Sequence, residues 1–100
     1  MNLGSVIKML RQQKGIKQNI FAKICDISPT YLSQIENNAK EPNTSVLKTI
    51  ADRLEVPLPI IFFLSIDRDD IAPEKQKAFE VLAPSIKSMI NTFFSEDKKQ

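Results

Sequence analysis

A short segment carries four uncharged side chains that can form hydrogen bonds: Thr30, Tyr31, Ser33 and Gln34. On the outward face of a helix they can enter the major groove of a DNA duplex, where base edges present donors and acceptors. Gln34 is the best candidate for reading a base, because its amide matches adenine N6 and N7. Thr30 offers a methyl to thymine, and we expect Tyr31 to lie against the groove wall or the backbone.

Composition argues against an enzyme. The chain has no histidine, two glycines and one cysteine, Cys25. It therefore lacks the commonest metal ligand, the usual acid–base group at neutral pH and a glycine-rich phosphate loop. We predict no catalytic residue, no metal and no cofactor, and we expect Cys25 to be a small buried side chain rather than a reactive thiol.

The polar set belongs to a stretch, residues 18–37, that predicts two short helices packed across a tight turn. Its apolar residues recur at steps of three and four, and Ala22 lets the two helices approach closely. Asp26 lies at the turn and tolerates a left-handed backbone. Ser28 can cap the second helix, and Pro29 suits its first position.

Seven residues of this stretch stand at the spacing of one known motif: Gln18, Ala22, Ile27, Leu32, Ile35, Glu36 and Asn37. With them the chain resembles the phage-repressor (Cro/XRE-type) helix-turn-helix family, from about residue 6 to residue 63. Two positions differ from the usual glycine, Asp26 and Asn38, and both residue types can adopt the left-handed conformation.

The resemblance implies an all-α fold with a lambda-repressor-like, five-helix DNA-binding domain in residues 1–66, and the pattern of the C-terminal residues adds one further helix. The DNA-binding residues that it implies are Gln18, Asn19, Pro29, Thr30, Tyr31, Ser33, Gln34, Asn37, Asn38 and Lys40. Gln18 would hold a phosphate with its backbone N–H and support a base contact with its amide. Lys40 and the backbone at Asn37 and Asn38 lie where related proteins hold phosphates. Pro29 replaces a base-reading glutamine of many relatives, so their operator code does not transfer.

In this family an arginine of the first helix commonly pairs with the glutamate that ends the recognition helix. The matching residues predict an ion pair between Arg11 and Glu36 that fixes the orientation of the two helices. The alternative is two independent, solvated side chains. We place the pair at the surface, where it contributes only ~0–1 kcal/mol.

The flanking segments complete the predicted domain. A first helix should end near Gly15, with Lys17 as a modest cap of the second helix. After the polar loop 37–43, Asn43 can cap a fourth helix. The fifth helix, residues 60–64, is apolar almost all round, so part of it should face a second buried surface.

The C-terminal part reads as a polar linker (67–72) and a helical segment (73–95). Apolar residues recur there in steps of three and four. At Pro84 either one helix kinks or a second helix begins, and the unbroken register favours a kink. Residues 95–100 are expected to fray. The predicted dimerisation residues are Ile60, Phe63, Phe79, Leu82, Ile86, Met89, Ile90 and Phe93. The alternative is a tail that folds back on the fifth helix and leaves a monomer.

Charge is distributed unevenly along the chain. Residues 1–53 contain eight Lys/Arg and four Asp/Glu, whereas residues 54–100 contain six and eight. The half with the motif is therefore basic, which favours a phosphate-rich partner. The most apolar run, residues 56–66, is far shorter than the ~20 residues that span a bilayer, and the N-terminus has no signal core. We expect a cytoplasmic protein without a membrane partner.

These observations predict a sequence-specific regulator of transcription that binds double-stranded DNA as a homodimeric repressor on a palindromic operator. Two alternatives remain. A controller protein of the restriction–modification type would activate by docking RNA polymerase. An antitoxin would keep the DNA-binding domain and bind a toxin through its C-terminal segment.

Overall fold

The computed structural model describes residues 1–94 and contains only helices in that range, which confirms the predicted all-α fold. The helices are α1 (Leu3–Gln13), α2 (Gln18–Ile24), α3 (Pro29–Glu36), α4 (Thr44–Leu54), α5 (Leu58–Leu64) and α6 (Gln76–Phe94). Two 3-10 turns, Arg68–Asp70 and Pro73–Lys75, connect α5 to α6. None of the described helices has the length and hydropathy needed to cross a membrane. The predicted frayed terminus, and residue 95 of the predicted C-terminal segment, lie outside the described residues.

The hydrophobic core forms where α1 crosses α3, α4 and α5, with α2 packed against α3. Ile7, Phe21, Leu32 and Ile50 are each 0% exposed. Burying side chains of this size contributes roughly 1.5–3 kcal/mol each. Ala22 is also fully buried, as expected for a residue at a close helix contact.

Local capping determines where the motif helices begin and end. The Ser28 hydroxyl accepts a hydrogen bond from the Tyr31 N–H at 3.0 Å, and Pro29 is the first residue of α3. The Asn43 carboxamide oxygen caps α4 in the same way, whereas Lys17 makes no side-chain cap bond. Asp26 has φ 60°, the left-handed conformation that its place in the turn predicted.

Helix α5 begins two residues before the predicted start, at Leu58. The reason is that Pro57 occupies the N-cap and Pro59 the first turn, where a missing N–H costs no helical bond. Ile61 is buried in the core, and Phe62 packs partly against it. The apolar character of α5 is thus largely satisfied within the chain.

Helix α6 runs without interruption through Pro84, so the alternative of a second helix beginning there is wrong. One side of α6 faces the rest of the chain: Ala83 is buried, and Ile90 and Phe94 pack against the core. On that side the Lys87 ammonium donates to the Ile66 carbonyl at 3.2 Å. The predicted polar linker before α6 contains regular structure, because Arg68–Asp70 forms a capped 3-10 turn.

A second side of α6 is exposed to solvent in the described residues. It carries four exposed residues at steps of four, three and four, which we call the α6 stripe: Leu82, Ile86, Met89 and Phe93. Three of them, Leu82, Met89 and Phe93, are 59%, 66% and 79% exposed. The helix therefore docks on its own domain with one side and presents another apolar side to solvent.

Candidate nucleic-acid interface

Helix α3 presents a polar face because its apolar residues are fixed in the core. Leu32 and Ile35 are 0% and 1% exposed. Their burial leaves Thr30 exposed and Ser33 and Gln34 half-exposed on the remaining surface. These three side chains are uncharged and can both donate and accept hydrogen bonds. The sequence-predicted reading residues thus lie together on one helix.

The other predicted residues of this surface border that face. Tyr31 is half-buried and packs partly against the core, which leaves only part of its ring on the surface. Asn19 on α2 and Pro29 at the start of α3 are exposed. The Asn37 amide donates to the Ser33 hydroxyl at 3.4 Å, a long contact across the last turn of α3.

Arg11 and Glu36 form a bidentate ion pair between α1 and α3. Arg11 Nε lies 2.7 Å from Glu36 Oε2, and Arg11 Nη2 lies 3.0 Å from Oε1. Arg11 Nη1 also donates to the Ile16 carbonyl at 2.8 Å. The side chains are only 7% and 0% exposed, so the predicted surface location is wrong. The pair is buried because it lies where α1 crosses α3.

Gln18 donates the third hydrogen bond to the buried Glu36 carboxylate. Its Nε2 donates to Glu36 Oε1 at 2.9 Å. One N–H of the amide predicted to support a base contact is therefore already used within the protein, and the second N–H and the amide oxygen remain for that role. The backbone N–H of Gln18 belongs to the first turn of α2, where no carbonyl of the helix reaches it.

The backbone N–H groups that follow α3 were expected to hold phosphates, but they form hydrogen bonds within the protein. The N–H of Asn37 donates to the Ser33 carbonyl and that of Asn38 to the Ile35 carbonyl, both at 3.0 Å. The N–H of Lys40 donates to the Gln34 carbonyl at 3.2 Å. These amides close the C-terminus of α3, whose last carbonyls need donors. The side chain of Lys40, which was predicted to hold a phosphate, is exposed.

The side chain of Asn38 makes two contacts that sequence reasoning missed. Its Oδ1 accepts a hydrogen bond from the Gly4 N–H, and its Nδ2 donates to Asn2 Oδ1, each at 2.9 Å. The partners lie 34 and 36 residues away in the chain, beyond any local pattern. The only signal in the sequence is a glycine inside the first helix, which marks a close approach of another backbone.

Cys25, the residue after α2, is buried and has a thiol of low reactivity. It is 4% exposed, and its burial raises the pKa of the thiol to about 11, against a smaller opposite effect of the Arg53 charge. At neutral pH the group is therefore a thiol rather than a nucleophilic thiolate. The residue fills space between helices, as its sequence context predicted.

The predicted DNA-binding residues and the predicted dimerisation residues occupy separate elements. The first set lies on α2, α3 and the loop after α3, and the second lies on α5 and α6. Within the second set exposure varies widely. Residues of the α6 stripe are exposed, whereas four others are half-buried: Ile60, Phe63, Phe79 and Ile90.

Comparison with known proteins yields consistent matches. A helix-turn-helix family model matches residues 7–61. The ImmF control region 10 kDa protein of Bacillus phage phi105 is 41% identical over 59 residues, which are 59% of this chain and 66% of that protein. The HTH-type transcriptional regulator RamB of Mycobacterium tuberculosis is 33% identical over 72 residues, 72% of this chain and 15% of RamB.

A second regulator matches over more of the chain. The HTH-type transcriptional regulator SutR of Escherichia coli is 30% identical over 90 residues, which cover 90% of this chain and 46% of SutR. The chain thus spans less than two thirds of the length of each of these relatives. Among solved structures, the clp gene regulator ClgR of Corynebacterium glutamicum has the same fold. It matches with a TM-score of 0.63 and 19% identity, over 91% of this chain and 88% of ClgR.

Proposed function

Because the chain belongs to the Cro/C1/XRE-type helix-turn-helix family of DNA-binding transcription regulators, we propose that it is a homodimeric repressor of a palindromic operator. One observation carries the proposal. An uncharged, hydrogen-bonding face on α3 occurs together with an exposed apolar stripe on α6. The first surface suits the edges of bases, and the second suits another copy of the chain.

In this proposal α3 lies in the major groove and reads bases directly. Gln34 is the main reader, because its carboxamide can donate and accept at one adenine. Thr30 and Ser33 reach neighbouring bases or phosphates from the same face. Asn19, Tyr31 and Pro29 form the edge of the surface and contact the backbone of the duplex.

Phosphate contacts hold α3 in register. The Lys40 side chain supplies a positive charge immediately after the recognition helix. The N–H of Gln18 supplies a donor at the start of α2. Such contacts carry no sequence information, but they make binding strongly dependent on salt, because each neutralised phosphate releases counterions.

The α6 stripe supports a two-fold dimer. Four large apolar side chains in a row are unusual on the surface of a monomer, and such patches mark interaction sites. In a symmetric interface the stripe of one protomer covers the same stripe of its partner. The spacing of three and four residues also suits the pairing of two helices. The half-buried Ile60, Phe63, Phe79 and Ile90 form the margin of this interface in our proposal. Two linked half-sites also bind far better than one.

The names of the relatives support a role in gene control. The phage relative is a protein of a control region, and RamB and SutR are named transcriptional regulators. The repressor role is our extension of this, since a dimer that covers promoter DNA blocks transcription without any further activity.

Selection of bound duplexes from a random DNA pool tests the readout. We expect a palindrome with half-sites about one helical turn, ~10 base pairs, apart. On that site Gln34→Ala should cost ~1–3 kcal/mol and relax one base position. Lys40→Ala should weaken all sequences alike and lower the salt dependence. Enrichment of no sequence, or an unchanged preference in Gln34→Ala, would refute α3 as the reading helix.

Sedimentation of the full chain tests the dimer. The wild type should be dimeric at micromolar concentration, and the double variant Leu82→Glu/Met89→Glu should be monomeric and lose most operator affinity. Val81→Glu is the matched control, because Val81 is 69% exposed on a different side of α6 and should leave the dimer intact. A monomeric wild type would refute this interface. The stripe would then be a binding surface for another protein, such as the toxin or the RNA polymerase of the alternative functions.

A further inference from the structure

We infer that Asn38 is a positioning residue, which caps helix α1 from the end of the recognition helix and so fixes the angle at which α3 is presented. The inference rests on the proposed function, base reading by α3. Its starting point is the beginning of α1. The N-cap residue Asn2 makes no side-chain cap bond to its own helix, although the first four N–H groups of a helix need acceptors.

The missing cap comes from a different element. Asn38 Oδ1 accepts the hydrogen bond of the Gly4 N–H at 2.9 Å, where an N-cap side chain would ordinarily bind. Asn38 Nδ2 donates to Asn2 Oδ1 at 2.9 Å. Both ends of the Asn38 amide are therefore engaged within the protein, at the first turn of α1.

The backbone of Asn38 makes the same residue the end of α3. Its φ is 60°, the left-handed conformation that terminates helices, and its N–H donates to the Ile35 carbonyl. A residue that combines this conformation with a carboxamide can end one helix and cap another. A glycine in this place would provide the first property without the second.

Gly4 shows how close the two helices lie at this point. A Cβ built on Gly4 would lie 2.2 Å from the Ile35 carbonyl oxygen, so only glycine fits against the last turn of α3. Arg11 is seven residues further along α1, roughly 10 Å at the rise of a helix, and binds Glu36. Two contacts this far apart on α1 fix the end of α3 in both position and direction.

Two substitutions of Asn38 separate positioning from direct contact with DNA. Asn38→Gly keeps the left-handed backbone and removes the cap. Asn38→Asp keeps the acceptor for Gly4, and its charge is favourable at a helix N-terminus but unfavourable beside a phosphate. The measurements are amide hydrogen exchange of Gly4 without DNA, and affinity for the preferred duplex and for a shuffled duplex. Conditions are chosen in which circular dichroism shows all variants folded.

We expect Asn38→Gly to accelerate exchange at Gly4 by roughly two- to thirtyfold, the range of a lost cap. It should weaken binding to the preferred duplex by at least about fivefold, as one impaired base contact does, with no change on the shuffled duplex. Asn38→Asp should restore both properties. Glu55→Gly is the matched control, because Glu55 has φ 61° at the end of α4, and it should leave DNA affinity unchanged.

Three results would overturn the inference. Unchanged exchange at Gly4 in Asn38→Gly would show that no cap is lost. If Asn38→Gly accelerated exchange at Gly4 but kept the full preference for the specific duplex, the contact would have only a structural role. A large loss of affinity for both duplexes in Asn38→Asp would show that the side chain faces a phosphate. If the wild type bound both duplexes equally, the proposed function would fail together with the positioning role, whereas Gly4 exchange would still decide whether the cap exists.

Discussion

Truncating Arg11 should be among the most damaging single changes in this domain. The Glu36 carboxylate is fully buried and accepts three hydrogen bonds, two from Arg11 and one from Gln18. Arg11→Ala removes two of them. Each hydrogen bond to a charged group contributes about 1.5–3 kcal/mol, so the two together give at least about 3 kcal/mol. Breaking a buried pair from one side typically costs ~3–5 kcal/mol, because a buried charge is left uncompensated.

Urea and thermal unfolding followed by circular dichroism measure this loss. A loss of 3 kcal/mol lowers the melting temperature of a small domain by roughly 12–24 °C. The double variant Arg11→Met/Glu36→Leu should be more stable than Arg11→Ala, because apolar residues can replace a buried pair at little cost. Glu55→Gln is the control: it removes the exposed pair with Lys14, and the change should stay within ~1 kcal/mol. Equal losses in Arg11→Ala and Glu55→Gln would refute the reasoning.

Two further predictions follow from buried positions. Gly4→Ala should destabilise the domain by ~1–3 kcal/mol despite the better helix propensity of alanine, because the new methyl meets the Ile35 carbonyl. Ser5→Ala, an exposed neighbour in α1, is the control, and equal melting temperatures for the two variants would contradict the close crossing. The Cys25 thiol, with its pKa raised to about 11 by burial, should react with an aromatic disulfide reagent at pH 8 roughly a hundredfold more slowly than in urea, since only the thiolate attacks. Comparable rates would show that the thiol is accessible. Its raised pKa also implies that the folded state loses stability as the pH rises from about 9 to 11.

Local chemistry made much of the motif predictable. A serine three residues before a helical N–H, and a proline beside it, specify a helix start by hydrogen bonding and by fixed φ alone. Asp26 was predictable for the same reason, since few residue types tolerate its backbone conformation. The family resemblance then placed the polar residues of α3 on one surface, and the fold agrees with it.

The properties that sequence reasoning missed depend on distant contacts. A helical period shows which residues of α6 share a side, but it does not show which side meets the domain. Of the predicted dimerisation residues, Ile90 packs against the core, as Phe94 does, whereas Leu82 and Met89 are exposed. The burial of Arg11 was missed for a similar reason. It depends on how closely α1 and α3 approach each other, which is set by residues such as Gly4 and cannot be read from the pattern of charges.

The hydrogen bond from the Asn2 N–H to the Ser65 carbonyl, at 2.8 Å, joins the start of α1 to the end of α5. Helix α1 is synthesised before α5, although the two helices pack against each other. Closing a loop of that length costs conformational entropy before any of these contacts form. Until α5 arrives, the apolar surfaces of α1 and α4 have no complete cover, since Ile61 and Leu64 are part of the core. The core that holds α3 in place is therefore complete only after α5 has been synthesised.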